Sequence, residues 1–441
     1  MHITVENIAF ILLLISATVL FTLKVRQIIA AIRIGHPLDR SDRKEERWKT
    51  MLLVAVGQKK MLSRPVPALL HLCVYVGFII INIELLEILI DGATGTHRVL
   101  SFMGSLYNFL IASFEILATL VIIACAVFLI RRNVIKVARF HYREMTKFPK
   151  SDANLILISE ILMMSAFLFM DASDSILQSR NVSHYHEAGM FPVSSLLVPM
   201  LSGLGDGALI MIERACWWFH IIGIFALLNY LPYSKHFHIV LAFPNVFFSN
   251  LNPKGKFNNL ESVTNEVKLM FDPNANPYAA PAEGAGEPKR FGAKDVTDLT
   301  WKQLLDAYTC TECGRCSSSC PANQTGKLLS PRKIMMDTRD RLEEVAANGR
   351  KFGKEHNDGK SLLGDYISAE EVWACTSCNA CVQECPVNID PLSIIVDLRR
   401  YLVMEESKAP AELTGMFTNI ENNGAPWQFS PADRLNWANE N

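Results

Sequence analysis

The sequence predicts an all-α chain, with five membrane-spanning helices in a bundle followed by a soluble helical domain. Three observations carry this reading. Apolar residues make up 50% of the 441, yet they lie in long runs that stop near residue 240, and beyond that point the chain is polar, charged and rich in Pro and Gly. Lys and Arg gather in alternate loops between the runs. Eight of the eleven cysteines stand in two copies of one pattern, CTECGRCSSSCP at 310–321 and CTSCNACVQECP at 375–386. A net charge of -1 offers no basic face for nucleic acid.

Five stretches are long enough to span, at about 5–23, 66–90, 107–130, 153–170 and 208–231. The first is read as a retained helix rather than a cleaved leader, because residues 1–7 hold no Lys or Arg and the basic residues follow the apolar run. Lys and Arg number eleven in 24–64 and seven in 131–150, against one each in 91–105 and 171–207. By the positive-inside rule the N-terminus lies outside and the soluble domain lies in the cytoplasm. The membrane domain is therefore placed at 1–242. Residues 243–298 read as a linker, too rich in Pro, Gly and Asn to build a core. Thr300 and Gln303 form a capping-box pattern that starts a helix leading into Cys310. Residues 331–350 have helical apolar spacing and fall in the 54-residue insert between Cys320 and Cys375. The cysteine domain is placed at 299–408, and 409–441 reads as a tail or docking segment without a periodic element.

The repeated pattern is C-x2-C-x2-C-x3-C-P, the spacing of bacterial two-cluster ferredoxins. Three thiolates on one tight loop each reach a different iron of one cubane, and the fourth, turned away by Pro321 or Pro386, ligates the other cluster. On that rule Cys310, Cys313, Cys316 and Cys385 hold one [4Fe-4S] cluster, and Cys375, Cys378, Cys381 and Cys320 hold the second. Structural zinc uses spaced ligand pairs and has no need of the third x2 step or the proline. Disulfides do not suit the reducing compartment in which the domain is placed. The chemistry implied is single-electron transfer. Cys73, Cys125 and Cys216, in or near spans, read as packing residues.

Ionisable groups inside a span are costly and mark function by default. His71 lies near the start of the second span and His220 within the fifth, with His236 and His238 at its cytoplasmic end. Eighteen residues separate His220 from His238, five helical turns and about 27 Å of rise on one face of the helix, so the two could serve sites near opposite membrane surfaces. His71 and His238 share a depth, which makes bis-His haem ligation possible. Asn82, Glu84, Glu87 and Glu213 are further polar candidates near His220.

The fifth span resembles that of the cytochrome b (gamma) subunit of respiratory nitrate reductase and its relatives in membrane heterodisulfide reductases. The shared residues are His220, Pro232 twelve residues on, Ser234, Lys235 and His238. The second span, HLCVYVGFIIIN from His71, resembles the matching helix, in which a second histidine stands ten residues on; here that position is Ile81. The resemblance implies a cytochrome b-like bundle in a bacterial cytoplasmic membrane, with His71 and His238 ligating a haem b. It leaves His220 without its expected partner, so His220 is either the ligand of a second haem completed by His97, His184 or His186, a quinone hydrogen-bond partner, or structural. The joined architecture, with its LDAYTCTECGRC opening, resembles the membrane-bound iron-sulfur oxidoreductases related to heterodisulfide reductase, which include electron-transfer-flavoprotein:menaquinone oxidoreductases. Those proteins usually continue into cysteine-rich CCG domains. No cysteine follows Cys385, so the resemblance implies a separate CCG-domain subunit or electron-transfer flavoprotein as partner.

The resulting expectation is a quinone-linked oxidoreductase subunit of a respiratory chain, passing electrons between a cytoplasmic partner and menaquinone through two clusters and haem b. No acid-base triad is expected. The competing reading is a membrane-anchored redox sensor or assembly factor, which would show slow or absent turnover. Arg315, Lys327, Arg332 and Lys333 beside the motifs are read as a solvated surface that an acidic redox partner could use.

Overall fold

The computed structural model describes residues 4–273 and 290–439. Among these the architecture is helical; the strand-like pairings are the isolated bridges His36–Thr300 and Leu363–Ile367. Five helices are long and apolar enough to cross a membrane: Val5–Ile32, Pro65–Thr94, Ser105–Asn133, Lys147–Ser179 and Asp206–Tyr230. Each extends past the apolar run that marks it in the sequence. The first, at 28 residues, is about 42 Å long and so outreaches a hydrocarbon core of roughly 30 Å.

Local chemistry sets the ends. Thr4 caps the first helix in a reciprocal box with Asn7, whose amide also donates to the Gly92 carbonyl at 2.9 Å and ties the first span to the second. The second span opens with Pro65, whose missing N–H costs nothing at that position, and closes on Gly95 in the left-handed conformation. Leu12, Ile15, Val19, Leu20 and Leu23 stay exposed, as lipid-facing side chains would. The inward faces bury Phe10, Ile111, Phe114, Phe167, Trp217 and Ile221 in a common core.

The fifth span departs from the expected single long helix. It ends at Tyr230, passes through 3-10 turns at Leu231–Tyr233 and Lys235–Phe237, and restarts as His238–Phe247. Pro232, lacking an N–H, and Ser234 in extended backbone turn the chain there. His220 and His238 therefore lie on different helices.

The second core runs from the bundle into the cysteine domain without a gap. It joins Ile28, Ala31 and Ile32 of the first helix, and Phe237 and Leu241 beyond the fifth, to Leu304, Ile334, Leu342, Ile394 and Leu398. After the first helix, His36 N–H donates to Leu299 O at 2.8 Å and Trp301 N–H to His36 O at 3.0 Å. Gly35 permits that approach, since a Cβ there would meet Trp301 N at 2.6 Å.

The expected linker at 243–298 falls partly on 274–289, outside the described residues. Its ends are packed rather than loose. Asn245 is fully buried and donates to Val387 O at 2.9 Å, and Val296 is fully buried. Glu261–Met270 is helical. The tail contains the helix Ala411–Asn423, where no regular element was expected. Its Leu413, Met416, Phe417 and Ile420 fall at i, i+3, i+4 and i+7, a helical spacing that the turn residues around it obscured, and all its residues are at least partly exposed.

Candidate functional site

Each cysteine motif begins at the end of a capped helix. Thr300 and Gln303 exchange hydrogen bonds ahead of Trp301–Thr309, and Ser368 and Glu371 do the same ahead of Ala369–Trp373. The loops then share one backbone path. The residues two and four positions after the first cysteine are left-handed in both, Glu312 and Gly314 in one, Ser377 and Asn379 in the other. Gly314 has a second reason, because a Cβ would meet the Arg332 guanidinium at 2.5 Å. The short helices Arg315–Ser318 and Ala380–Glu384 follow, and they pack against each other.

This path gathers the thiols in crossed sets. Cys385 interacts with Cys310, Cys313 and Cys316 of the other motif, and Cys320 interacts with Cys375 and Cys381, with Cys378 beside Cys375. Burial, reinforced by neighbouring thiols, pushes Cys310 and Cys385 up to about 12. Thiols crowded and buried in this way need compensating positive charge to ionise, which iron supplies. Among the described residues no three His, Cys, Asp or Glu converge on one ion-sized point. In its chemistry, four thiols to each set, the donor set fits a cubane, and Cys316, near Cys381 as well, lies where the two sets meet.

The two sets have different surroundings. Around the first, Lys60 Nζ donates to Cys385 O at 3.1 Å and Val382 O at 3.3 Å, Arg315 is buried against Lys60 O and Met61, and Arg139 lies near Cys313. The backbone N–H of Ile389 donates to Cys385 Sγ at 3.3 Å. Around the second, Arg399 donates to Cys375 O, Asp390 lies near Cys381, and Cys378 is exposed.

The basic residues read as a solvated docking surface are mostly interior. Arg315 is 3% exposed and Arg332 fully buried, the latter donating to Glu144 at 2.7 and 3.0 Å and to Arg139 O at 2.7 Å. Lys333 pairs with Asp337 at 2.7 Å and Glu371 at 2.9 Å, leaving Lys327 as the exposed member. Lys235, past the fifth span, reaches Glu312 within the first motif at 2.6 Å, and Arg339 reaches the same carboxylate at 2.9 Å. These pairs hold the cysteine domain against the bundle.

The bundle's near end brings His71, His236 and His238 together. His71 lies within electrostatic reach of His238 and of Arg315, and His236 stacks on His238 with ring centroids 5.8 Å apart. His238 Nδ1 is 3.0 Å from Lys235 O, so in the tautomer protonated there Nε2 is free to ligate. Burial, then His238 and His71, push the His236 imidazole down to about 3, and its Nδ1 is without a partner. The residues fit a bis-His haem. His236 is a third imidazole at the same place, which its spacing alone did not mark as part of the group.

His220 is 4% exposed, with Nδ1 3.1 Å from Met163 O and its ring against Phe167. His97 and His184 lie 5.4 Å apart near the far end of the bundle, in contact with Tyr185, and neither has a described ring contact with His220. Glu213 is engaged by Arg214 at 2.6 Å. Cys125 is buried, and Cys73 and Cys216 are partly so.

Fold and site define a class, a bundle of apolar membrane helices joined to a helical domain with two crossed cysteine motifs. Residues 306–389 match the 4Fe-4S dicluster domain family, which makes this an iron-sulfur domain. The chain is related to iron-sulfur oxidoreductases. It is 30% identical to the probable iron-sulfur-binding oxidoreductase FadF of Bacillus subtilis, over 98% of this chain and 60% of that protein. It is 25% identical to the EtfAB:quinone oxidoreductase of Syntrophomonas wolfei, over 91% of this chain and 55% of that one. A probable membrane-anchored ferredoxin of Chromohalobacter salexigens is 35% identical over 34% of this chain and 24% of its own length. The chain thus spans a little over half the length of the first two relatives. No solved structure matches it.

Proposed function

We propose that the protein is a membrane electron-transfer subunit passing electrons between a soluble redox partner and the quinone pool. The observation that carries this reading is the crossed grouping of the thiols beside the His71, His236 and His238 cluster, with Arg315 coupled to both. Cys310, Cys313, Cys316 and Cys385 would hold one [4Fe-4S] cluster, Cys375, Cys378, Cys381 and Cys320 the other, and His71 and His238 a haem b. When bound, these groups supply one-electron carriers.

The chain's own residues do the rest. Lys60, Arg315 and Arg139 set positive charge around the first thiol set, the Lys235 carbonyl orients His238, and the buried ion pairs fix the distance between domain and bundle. Exposed Cys378 marks the side from which a soluble partner reaches the clusters. His220, with Nδ1 held by Met163 O, offers Nε2 to a quinone. The basic loops support placement of the cysteine domain in the cytoplasm. An electron-transfer flavoprotein or a CCG-domain protein is the soluble partner in this reading; the name of the Syntrophomonas protein supports the former.

The test is cofactor analysis and quinone exchange on purified protein. Expected are about eight cluster irons and one haem b per chain, the haem lost in His71→Ala or His238→Ala and reducible by menaquinol. Two haems per chain would assign His220 to the second. No haem, or no exchange with any quinone, would overturn the reading.

A further inference from the structure

The end of the bundle far from the cysteine domain holds a cavity of about 210 Å³. Phe10, Ile88, Met170 and Trp217 form an apolar wall, and Glu84, Glu87, His97, Arg98 and Asp174 face it with polar groups. Glu84 is thirteen residues beyond His71 on the second span, roughly 20 Å along the helix.

One hydrogen-bond chain crosses this region. Tyr107 OH donates to Glu87 Oε2 at 3.0 Å and accepts from Arg98 Nη1 at 3.1 Å. Arg98 also donates to Asp174 Oδ2 at 2.5 Å and to Asp171 Oδ1 at 2.7 Å. Glu84, one turn before Glu87, stands apart from the chain. It is 4% exposed, lines the cavity, and its Oε2 has no hydrogen-bond partner. Asp171 Oδ2, fully buried, is likewise unpartnered.

The charges do not balance. Glu84, Glu87, Glu115, Asp171 and Asp174 are all at most 4% exposed. Among the described residues the guanidinium facing them is that of Arg98. Arg214 is engaged by Glu213, and burial pushes the His97 imidazole down to about 4, against the pull of Asp174. Asp91 is satisfied by Thr96 and the Val99 N–H, Glu115 accepts from the Val193 and Ser194 N–H groups, Tyr185 donates to Glu213, and Glu6 is exposed. Five buried carboxyls against one cation, inside membrane helices, cannot all be ionised.

We propose that this cavity is the proton-exchange site of the quinone reaction, with Glu84 holding the proton, the cavity, whose lining runs out to Thr4, Glu6 and Thr96, giving it access to the membrane face away from the cysteine domain, and the Glu87, Tyr107, Arg98, Asp171 and Asp174 network beside it supplying the surplus negative charge that keeps the proton there. The inference rests on the quinone-linked reading above. Reduction of a quinone takes two electrons, delivered from the soluble donor through the cysteine domain, and two protons that form the O–H bonds on its two carbonyl oxygens. Glu84 Oε2 gives a proton inward and regains one from the far face, and oxidation of a quinol runs each transfer in reverse. Electrons and protons then use opposite faces, so turnover moves charge across the membrane.

Dicyclohexylcarbodiimide, which attacks protonated carboxyls in apolar surroundings, tests this on the full protein in membranes at neutral pH, with the labelled residue read by mass spectrometry. Expected is label on Glu84, none there in Glu84→Gln, and a drop of at least tenfold in quinone turnover in that variant with unchanged cluster and haem spectra. Glu84→Asp should recover part of the turnover, which excludes misfolding. In sealed vesicles of known orientation, pH dyes should report the proton change on the face away from the cysteine domain. Label confined to other carboxyls, turnover of Glu84→Gln within twofold of the parent, or a pH change on the cysteine-domain face would overturn the inference. Failure of the parent reading is distinct, appearing as no quinone exchange in the unsubstituted protein.

Discussion

The two cysteine motifs share spacing, capping helices and the pair of left-handed residues, yet differ in what surrounds them. The first is enclosed by Lys60, Arg139 and Arg315 and lies against the bundle. The second has Arg399 and Asp390 as neighbours and leaves Cys378 exposed. Net charge, hydrogen bonds to sulfur and exposure are the levers that set a cluster's potential. One backbone device used twice thus gives two thiol sets with different electrostatic surroundings, the more electropositive one on the side of His71. In the proposed function this difference would make the first cluster the more readily reduced of the two.

The sharpest way to break this comparison is to remove a crossed ligand. Cys385→Ser should erase the cluster of the first motif although the residue lies in the second, with iron content falling by about half; Cys320→Ser should do the converse. Electron paramagnetic resonance distinguishes the two, and loss of the cluster belonging to the mutated motif would refute the crossing. Glu312→Gln comes next. It leaves Lys235 and Arg339 buried without their carboxylate and should cost about 3–5 kcal/mol in thermal unfolding of the cysteine domain. Lys60→Gln tests the electrostatic asymmetry and should lower the midpoint potential of the first cluster by roughly 50 mV while leaving the second within error.

The smallest effect is in the insert between the motifs. Arg341 reaches Asp295 at 2.7 Å and Asp358 at 2.6 Å. Hydrogen bonding from Arg341 is the main cause holding the Asp358 carboxyl well below its ordinary value. A depressed carboxylate contributes stability that is present above its unfolded value of about 3.9 and is lost only as pH falls through the lower folded value. Amide protection factors in 354–361, with the pH dependence of intrinsic exchange divided out, should therefore be unchanged from pH 8 to about 4 and fall only in stronger acid. A fall near pH 6 would contradict the pairing.

How much of this was legible in the sequence depended on the range of the interaction. The thiol crossing was expected from spacing within twelve residues and is carried forward as part of the proposal, whereas the Thr300 and Gln303 box, expected from spacing within four, is present. Spans announced themselves by composition. The break after Tyr230 was missed, although Pro232 was visible, because the apolar pattern runs on past it and the turn depends on Ser234 and on Asp152 across the bundle, which accepts from Tyr230 at 2.6 Å. Lys60 was invisible, since its partners lie more than 320 positions away. Glu84 and Glu87 drew attention as ionisable residues in a span. Arg98, Asp171 and Asp174 come from a loop and another helix, and a single sequence does not show that they meet.

The continuous core shared by the first helix and the cysteine domain also makes the two mechanically one piece. Ile28, Ala31, Ile32 and Leu241 pack into the same core as Leu304, Ile334 and Leu398. A close-packed interior transmits displacement, so a shift of the first helix within the bundle is carried into the packing behind the cysteine motifs, and a shift at the motifs is carried back.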